Sequence, residues 1–247
     1  SRLRQMIGAI TSNRLKACGV GLIVTAIIQS SSITTVMAVS FVNAGIMTLK
    51  QAIGVIMGAN IGTTATAWLI AGLPIKEFGL PILGISAFFF LFAKNEKLSY
   101  AGMSIMGIGM VFFGLDLMSS GMKPMRSVPE FQACFSAFQA TNYPGVIKCV
   151  LTGAILTALV QSSSATIGLT MAMSLNGVIS FDTAAALVLG ENIGTTITAM
   201  LASIGGTTNG KRSAYSHMIF NVLGVIWITS IFFYYIRFIR NILPTAP

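Results

Sequence analysis

Apolar residues run along this chain in stretches with almost no charge: 17–29, 53–59, 80–93, 101–115, 146–160, 184–190 and 218–236. A helix needs about 20 apolar residues to cross the hydrocarbon core of a bilayer. Several of these stretches are shorter, and polar residues interrupt the pattern at fixed places. Stretch 17–28 makes roughly 18 Å of helix at 1.5 Å per residue, only part of a crossing. Gln29, Ser30, Ser31 and Ser32 follow. A second short apolar run, 33–42, is then closed by Asn43, Ala44 and Gly45. This pattern predicts a re-entrant helical hairpin with the serines at its tip. Residues 52–57 open another helix, Gly58, Ala59, Asn60, Ile61 and Gly62 interrupt it, and 63–71 resume it. That predicts a discontinuous helix, which membrane depth tolerates only where it lines a cavity.

The whole pattern occurs twice. Gln29-Ser30-Ser31-Ser32 recurs as Gln161-Ser162-Ser163-Ser164, an offset of 132 residues (161 − 29). At the same offset Asn60-Ile61-Gly62-Thr63-Thr64 recurs as Asn192-Ile193-Gly194-Thr195-Thr196. Thr34 maps to Thr166, Gly21 to Gly153, Thr25 to Thr157, Gly45 to Gly177 and Gly58 to Gly190, with no gap between residues 21 and 69. A packing module used twice would not need Gln-Ser-Ser-Ser within an apolar run, because polar side chains at membrane depth are costly unless they face protein, water or a ligand. The second unit is expected to form a hairpin over 146–175 and a broken helix over 183–204.

Residues 1–99 form the first unit and 100–247 the second. The crossings between the hairpins are 51–71, 77–93 and 100–119. Three crossings are an odd number, so the second hairpin enters from the opposite face and the units are inverted. Inverted repeats with paired interrupted segments point to a transporter site at the midplane. Each hairpin also reads as one continuous span with a polar centre, which would make the repeats parallel; the short apolar halves favour re-entry. Re-entry puts nine Lys and Arg on the side of Ser1 and six on the other, and continuous spans put ten and five. Either way Ser1 lies in the cytoplasm. Segment 100–119 leads into the second hairpin, and its counterpart would precede Ser1. The first unit is therefore expected to lack its leading helix, as a truncated N-terminus would.

Composition agrees with this class. Of the 247 residues 54% are hydrophobic and 9% charged, against roughly 25% charged in soluble domains. The net charge of +9 does not mark a nucleic-acid binder, because the basic residues are dispersed through the connections as in membrane loops. Cys18, Cys134 and Cys149 match no disulfide framework or metal spacing. Cys134 and Cys149 flank a polar segment and could pair, but three free thiols are the favoured reading. Segment 129–140, with Phe131, Phe135 and Phe138, is expected to lie flat at the interface. The last span is 218–236, ended by Arg237 and Arg240.

The duplicated Gln-Ser-Ser-Ser and Asn-Ile-Gly-Thr-Thr motifs at the cores of the two units contain no Lys, Arg or His. An anion would be held there by hydroxyls and backbone N–H groups. Ser31, Ser32 and Thr34, and likewise Ser163, Ser164 and Thr166, begin half-helices aimed at the centre. Thr63 and Thr64, and Thr195 and Thr196, begin the resumed halves of the broken helices. Helix N-termini bind phosphate or carboxylate without a basic side chain. Carbonyls at the opposite helix ends, with Gln29, Ser30, Asn60, Gln161, Ser162 and Asn192, are neutral oxygen ligands suited to Na⁺. Glu191 is the asymmetric element, since Ala59 is its counterpart, and a carboxylate at membrane depth is a functional candidate for a cation or a proton. Asp116 reads as pointing to water or a helix partner. His217, the only histidine, reads as a packed polar residue with Tyr215 and Asn221. Gly102, Gly107, Gly109 and Gly114 read as close-packing positions.

Paired Gln-Ser-Ser-Ser motifs, each followed about thirty residues later by Asn-Ile-Gly-Thr-Thr, resemble the type II sodium–phosphate cotransporter family, especially its bacterial members. The resemblance covers nearly the whole chain. It implies an all-α integral membrane fold of two inverted repeats with re-entrant hairpins, multi-pass in the cell inner (plasma) membrane. It also implies Na⁺-driven import of inorganic phosphate by alternating access, with Na⁺ as coupling ion and no enzymatic activity. The two Gln-Ser-Ser-Ser tips would bind substrate and sodium, and residues 60–64 and 192–196 would form the broken-helix elements. A homo-oligomer is allowed. Uptake of another small oxyanion or a carboxylate fits the same hydroxyl-and-amide cradle. A passive channel would predict flux without Na⁺. An intramembrane serine hydrolase lacks a base within reach.

Overall fold

A computed structural model describes residues 2–72, 75–122, 124, 128 and 138–243. Residues 129–137, with Cys134, Phe131 and Phe135, lie outside the described residues, and so do the interfacial segment expected there and the Cys134–Cys149 pairing. Cys18 and Cys149 are free thiols. The described residues form helices and no strand: α1 (Arg2–Ile10), α2 (Arg14–Ile28), α3 (Ser31–Asn43), α4 (Leu49–Gly72), α5 (Ile75–Phe92), α6 (Glu96–Met122), α7 (Tyr143–Val160), α8 (Ser163–Leu175), α9 (Phe181–Gly194), α10 (Thr196–Ala202), α11 (Thr208–Ser230) and α12 (Phe232–Ile242).

Large apolar side chains face outward in helical stripes. On α7, Ile147, Leu151, Ile155 and Leu159 are each at least 50% exposed at four-residue spacing. On α6, Ile105, Ile108, Met110 and Val111 are 49–55% exposed. Water would penalise such surfaces, whereas hydrocarbon accepts them. Glu96–Met118, Tyr143–Val160 and Phe181–Ala202 are long and apolar enough to cross a membrane, and the bent pair α11 and α12 makes a fourth if it is one span. The molecule is a helical membrane protein.

The 132-residue repeat reappears in the packing. In the first unit α2 and α4 run parallel in close contact. A Cβ on Gly21 would meet the Val55 carbonyl oxygen at 2.0 Å, one on Gly58 the Cys18 oxygen at 1.9 Å, and one on Gly62 the Thr25 Cβ at 2.7 Å. In the second unit α7 and α9 match this residue for residue: Gly153 against Leu187 O at 2.2 Å, Gly190 against Val150 O at 1.9 Å and Gly194 against Thr157 Cβ at 2.7 Å. Small residues let membrane helices approach backbone to backbone, where dispersion and short contacts replace the hydrophobic drive. Since α2 and α4 are parallel, α3 returns the chain to the side from which α2 set out. Helix α8 does the same between α7 and α9.

Two sequence expectations are corrected here. Helix α4 is continuous from Leu49 to Gly72, so Asn60–Thr64 does not unwind. Its glycines serve the contact with α2, and a helix whose glycines are buried against a neighbouring backbone keeps its own hydrogen bonds. In the second unit the ladder is interrupted only at Thr195, whose backbone stays right-handed helical (φ −56°, ψ −28°) between α9 and α10. The last span is also not one helix over 218–236. It ends at Ile231, and α12 leaves α11 at 79°.

Helix α11 is 23 residues long, roughly 34 Å at 1.5 Å per residue. Its two ends hold different hairpins. At its start, the Asn43 Oδ1 that closes α3 accepts from Thr207 N at 3.0 Å and from the Thr207 hydroxyl at 2.9 Å. At its other end, the Tyr143 hydroxyl, where α7 begins, donates to the Ser230 carbonyl at 3.0 Å. Helices α5 and α6 form an antiparallel pair, with Gly79, Gly109 and Gly102 against Phe113, Leu83 and Phe90.

Candidate functional site: the paired tips

Each hairpin turns in two residues. Gln29 has φ 57° and ψ 27°, and Gln161 has φ 57° and ψ 22°. They are the only non-glycine residues with positive φ among the described residues. A left-handed residue other than Gly costs roughly 1–2 kcal/mol. Both tips keep Gln where Gly would relax the turn, so the side chain is retained at the expense of backbone energy; strain of this kind concentrates at functional sites. The next residue is extended in both tips, and its hydroxyl caps the following helix: Ser30 Oγ accepts from Ile33 N, and Ser162 Oγ from Ala165 N, each at 3.3 Å.

That cap uses the third N–H of the helix. The N–H groups of Ser31 and Ser32, and of Ser163 and Ser164, belong to the first turn and have no partner within their helix. Ser31 is 3% exposed and its Oγ has no hydrogen-bond partner among the described residues. Ser163 is 7% exposed, and Ser32 and Ser164 are half-buried. Each tip therefore presents two N–H groups and serine hydroxyls at the positive end of a 13-residue helix, which is what an oxyanion needs.

The tips are braced from behind by two pairs of threonines, of which Thr25 and Thr157 had no role in the sequence analysis beyond their alignment. Thr25 Oγ1 donates to Thr34 Oγ1 at 2.9 Å, and Thr157 Oγ1 to Thr166 Oγ1 at 3.0 Å. Thr34 and Thr166 in turn donate to the carbonyls of Ser30 and Ser162, each at 3.2 Å. All four threonines are buried. Thr34 and Thr166, expected to touch substrate, tie the two legs of each hairpin together. The alignment of Thr25 with Thr157 was the available signal.

Thr63 and Thr64 lie inside α4 and begin no helix. Thr63 Oγ1 donates to Ala59 O at 3.0 Å and Thr64 Oγ1 to Ile61 O at 2.7 Å. Thr195 and Thr196 repeat the bonds, to Glu191 O at 2.8 Å and Ile193 O at 2.7 Å. A hydroxyl has one proton. Once it is spent on a carbonyl, lone pairs remain, which favour a cation over an anion.

Asn60 is occupied from α11. Its Oδ1 lies 3.1 Å from His217 Nε2, and its Nδ2 donates to Asn221 Oδ1 at 3.3 Å. His217 is fully buried. Asn192, the counterpart of Asn60, is exposed. Glu191 is 1% exposed; its Oε1 accepts from Thr170 Oγ1 at 2.6 Å, while Oε2 has no partner. Thr170 sits one turn beyond Thr166 on the helix that starts at the second tip. In the first unit Ala38 and Ala59 stand at these two places, both buried. The polar pair is thus present or absent as a pair, a signal legible in the repeat alignment once both positions are compared. Among the described residues no three His, Cys, Asp or Glu come together, so a cation would rely on neutral oxygens and this one carboxylate.

The units interlock across the molecule. Helix α3, which starts at the first tip, packs on α10, which starts at Thr196; α8, which starts at the second tip, packs on α4.

The model of the family described as Na⁺/Pi-cotransporter matches residues 1–120 and 129–242. YqeW of Bacillus subtilis is 34% identical over 91% of this chain and 71% of its own length. The Escherichia coli protein named "Putative inorganic phosphate export protein YjbB" is 27% identical over 92% of this chain and 41% of its own length. Human sodium-dependent phosphate transport protein 2B is 44% identical over 28% of this chain and 10% of its own length. No solved structure matches. With doubled tips, parallel glycine-packed helices behind them and a family match over almost the full length, the chain belongs to the Na⁺/Pi-cotransporter family, a family of transporters and not of enzymes.

Proposed function

We propose that this protein is a sodium-coupled symporter that imports inorganic phosphate across the plasma membrane by alternating access. The observation that carries the reading is the pair of strained tips of matching geometry, each offering first-turn N–H groups and serine hydroxyls, with no basic residue in either Gln-Ser-Ser-Ser motif. Ser31, Ser32, Ser163 and Ser164 hold the phosphate. Gln29, Ser30, Gln161, Ser162 and Asn192, the lone pairs of Thr63, Thr64, Thr195 and Thr196, and the carboxylate of Glu191 serve Na⁺. Sodium offsets the charge of phosphate, which lets a site without arginine accept an anion.

The reading includes two inverted units, 1–99 and 100–247, each with a re-entrant hairpin; helix length supports re-entry in the first, whereas α7 of the second is itself long enough to cross. Helices α2 and α3 have 15 and 13 residues, short of the roughly 20 needed to cross. The first hairpin opens at the start of α11 and the second at its far end. That arrangement also leaves nine Lys and Arg on the side of Ser1 and six opposite, which favours a cytoplasmic Ser1.

The test is radiolabelled phosphate flux in proteoliposomes under an inward Na⁺ gradient, an outward one and none. Flux that follows the Na⁺ gradient and is lost in Ser163→Ala supports symport. Flux indifferent to Na⁺ would make the protein a channel. Outward movement against the Na⁺ gradient would make it an exporter, as the name of the E. coli relative has it.

A further inference from the structure

The chain has one histidine, and the phosphate and sodium assignments leave it unused. His217 is fully buried on α11. Its Nε2 faces Asn60 Oδ1 at 3.1 Å. The Nδ2 of the same amide is spent on Asn221 Oδ1, and Asn221 Nδ2 donates to the His217 carbonyl at 3.0 Å. An amide oxygen only accepts, so Nε2 carries the hydrogen of the neutral ring and Nδ1 is a bare acceptor. Nδ1 has no hydrogen-bond partner among the described residues. Buried polar atoms are ordinarily paired, so an acceptor fixed in this state points to a donor that the protein does not supply.

The ring stands at the depth of the first tip. Asn43, at the end of α3, is bonded to Thr207, at the start of α11, and Val39 of α3 packs with Ala214 of α11. The two helices therefore run antiparallel from that bond. Ten residues forward from Thr207 lead to His217, and ten back from Asn43 lead to Ile33, each roughly 15 Å at 1.5 Å per residue. Ile33 lies in the first turn of α3, two residues after Ser31. From the other side, Asn60 is on α4, where Gly62 stands against Thr25, one turn before the tip. The offset of 132 residues gives His217 and Asn221 the counterparts Ile85 and Phe89, so the repeat does not supply this acceptor twice.

The tips themselves offer N–H groups and hydroxyls. An N–H serves any oxyanion, and a serine hydroxyl turns to donate or accept; neither separates phosphate from sulfate. Phosphate keeps at least one P–OH near neutral pH, and sulfate keeps none. A site built to bond a substrate O–H rejects the analogue that lacks it, because the buried group is then left unpaired. We propose that His217 Nδ1 accepts the P–OH of the bound phosphate and selects phosphate over sulfate, with Asn60 and Asn221 fixing the ring. This rests on the reading of the tips as a phosphate site.

The test labels both ring nitrogens of the single histidine and follows them by NMR in the full chain in lipid nanodiscs, with Na⁺ present throughout. Phosphate should move the Nδ1 resonance upfield, as a lone pair that gains a hydrogen bond does, and leave Nε2 in place. Sulfate should move neither. In proteoliposomes, sulfate should compete poorly with phosphate flux through the wild type, and His217→Leu should lower the preference for phosphate by about tenfold or more. His217→Gln, whose amide oxygen can still accept, should keep most of it. An Nδ1 resonance that phosphate does not move, in a preparation that carries phosphate with Na⁺, would overturn the assignment and leave the tips as the phosphate site. Equal movement by sulfate would overturn the selectivity. A preparation that carries no phosphate would overturn the reading of the tips, and the role of His217 with it.

Discussion

Single residues divide the tasks. Ser31 and Ser163 offer hydroxyls at helix N-termini, whereas Glu191 offers one carboxylate oxygen with no hydrogen-bond partner among the described residues. Leaving such an atom buried costs several kcal/mol unless it is neutralised or paired. If sodium is its partner, Glu191→Gln will raise the Na⁺ concentration for half-maximal uptake at least several-fold and leave phosphate affinity at saturating Na⁺ nearly unchanged; equal shifts in both would assign Glu191 to the phosphate. Asn60 is a different case. Its amide joins His217 and Asn221 across α4 and α11. Asn60→Ala leaves those groups unpartnered, so thermal stability should fall by about 1–3 kcal/mol while apparent Na⁺ affinity stays near wild type. A lost Na⁺ response at full stability would return Asn60 to the ion site. Sequence alone could name Asn60 as polar and duplicated. It could not reveal the partner, because His217 lies outside the repeat and 157 residues away.

At the scale of elements, the unit is a helix, a two-residue turn, a returning helix and a parallel glycine-packed helix. Most of this was legible. Gln-Ser-Ser-Ser within short apolar runs located both turns, and the offset of 132 residues holds for hydrogen bonds, dihedrals and glycine contacts alike. The broken helix of the first unit was misread because glycine carries two meanings in a membrane helix. It permits unwinding, and it permits close approach; only the position of a neighbouring backbone decides. Gly58 and Gly190 decide for approach, each with a carbonyl oxygen 1.9 Å from where a Cβ would stand. Gly190→Ala must push α7 and α9 apart and should destabilise the protein by about 1–3 kcal/mol, with a lower midpoint in a thermal unfolding assay in detergent. Gly107→Ala, with nothing within 4 Å, should be near neutral. Similar midpoints for the two variants would refute the packing account. The bend at Ile231 was also missed, since its apolar flanks on both sides read as one continuous span.

The whole molecule bonds its two hairpins to opposite ends of α11, and the proposed inversion rests on that placement. Single cysteines at Ala44 and Val178, in a background with the native cysteines replaced, should react with an impermeant thiol reagent from opposite faces of oriented vesicles; reaction from one face would mean parallel units. The central claim is narrower: both tips belong to one site that takes phosphate together with sodium. Its most direct measurement is the alkylation rate of single cysteines at Ser31 and at Ser163, in the presence and absence of phosphate and Na⁺. The account predicts that phosphate with Na⁺ slows the reaction at both positions, and that phosphate with choline in place of Na⁺ protects neither. Protection at one tip only, or protection that does not need Na⁺, would contradict it.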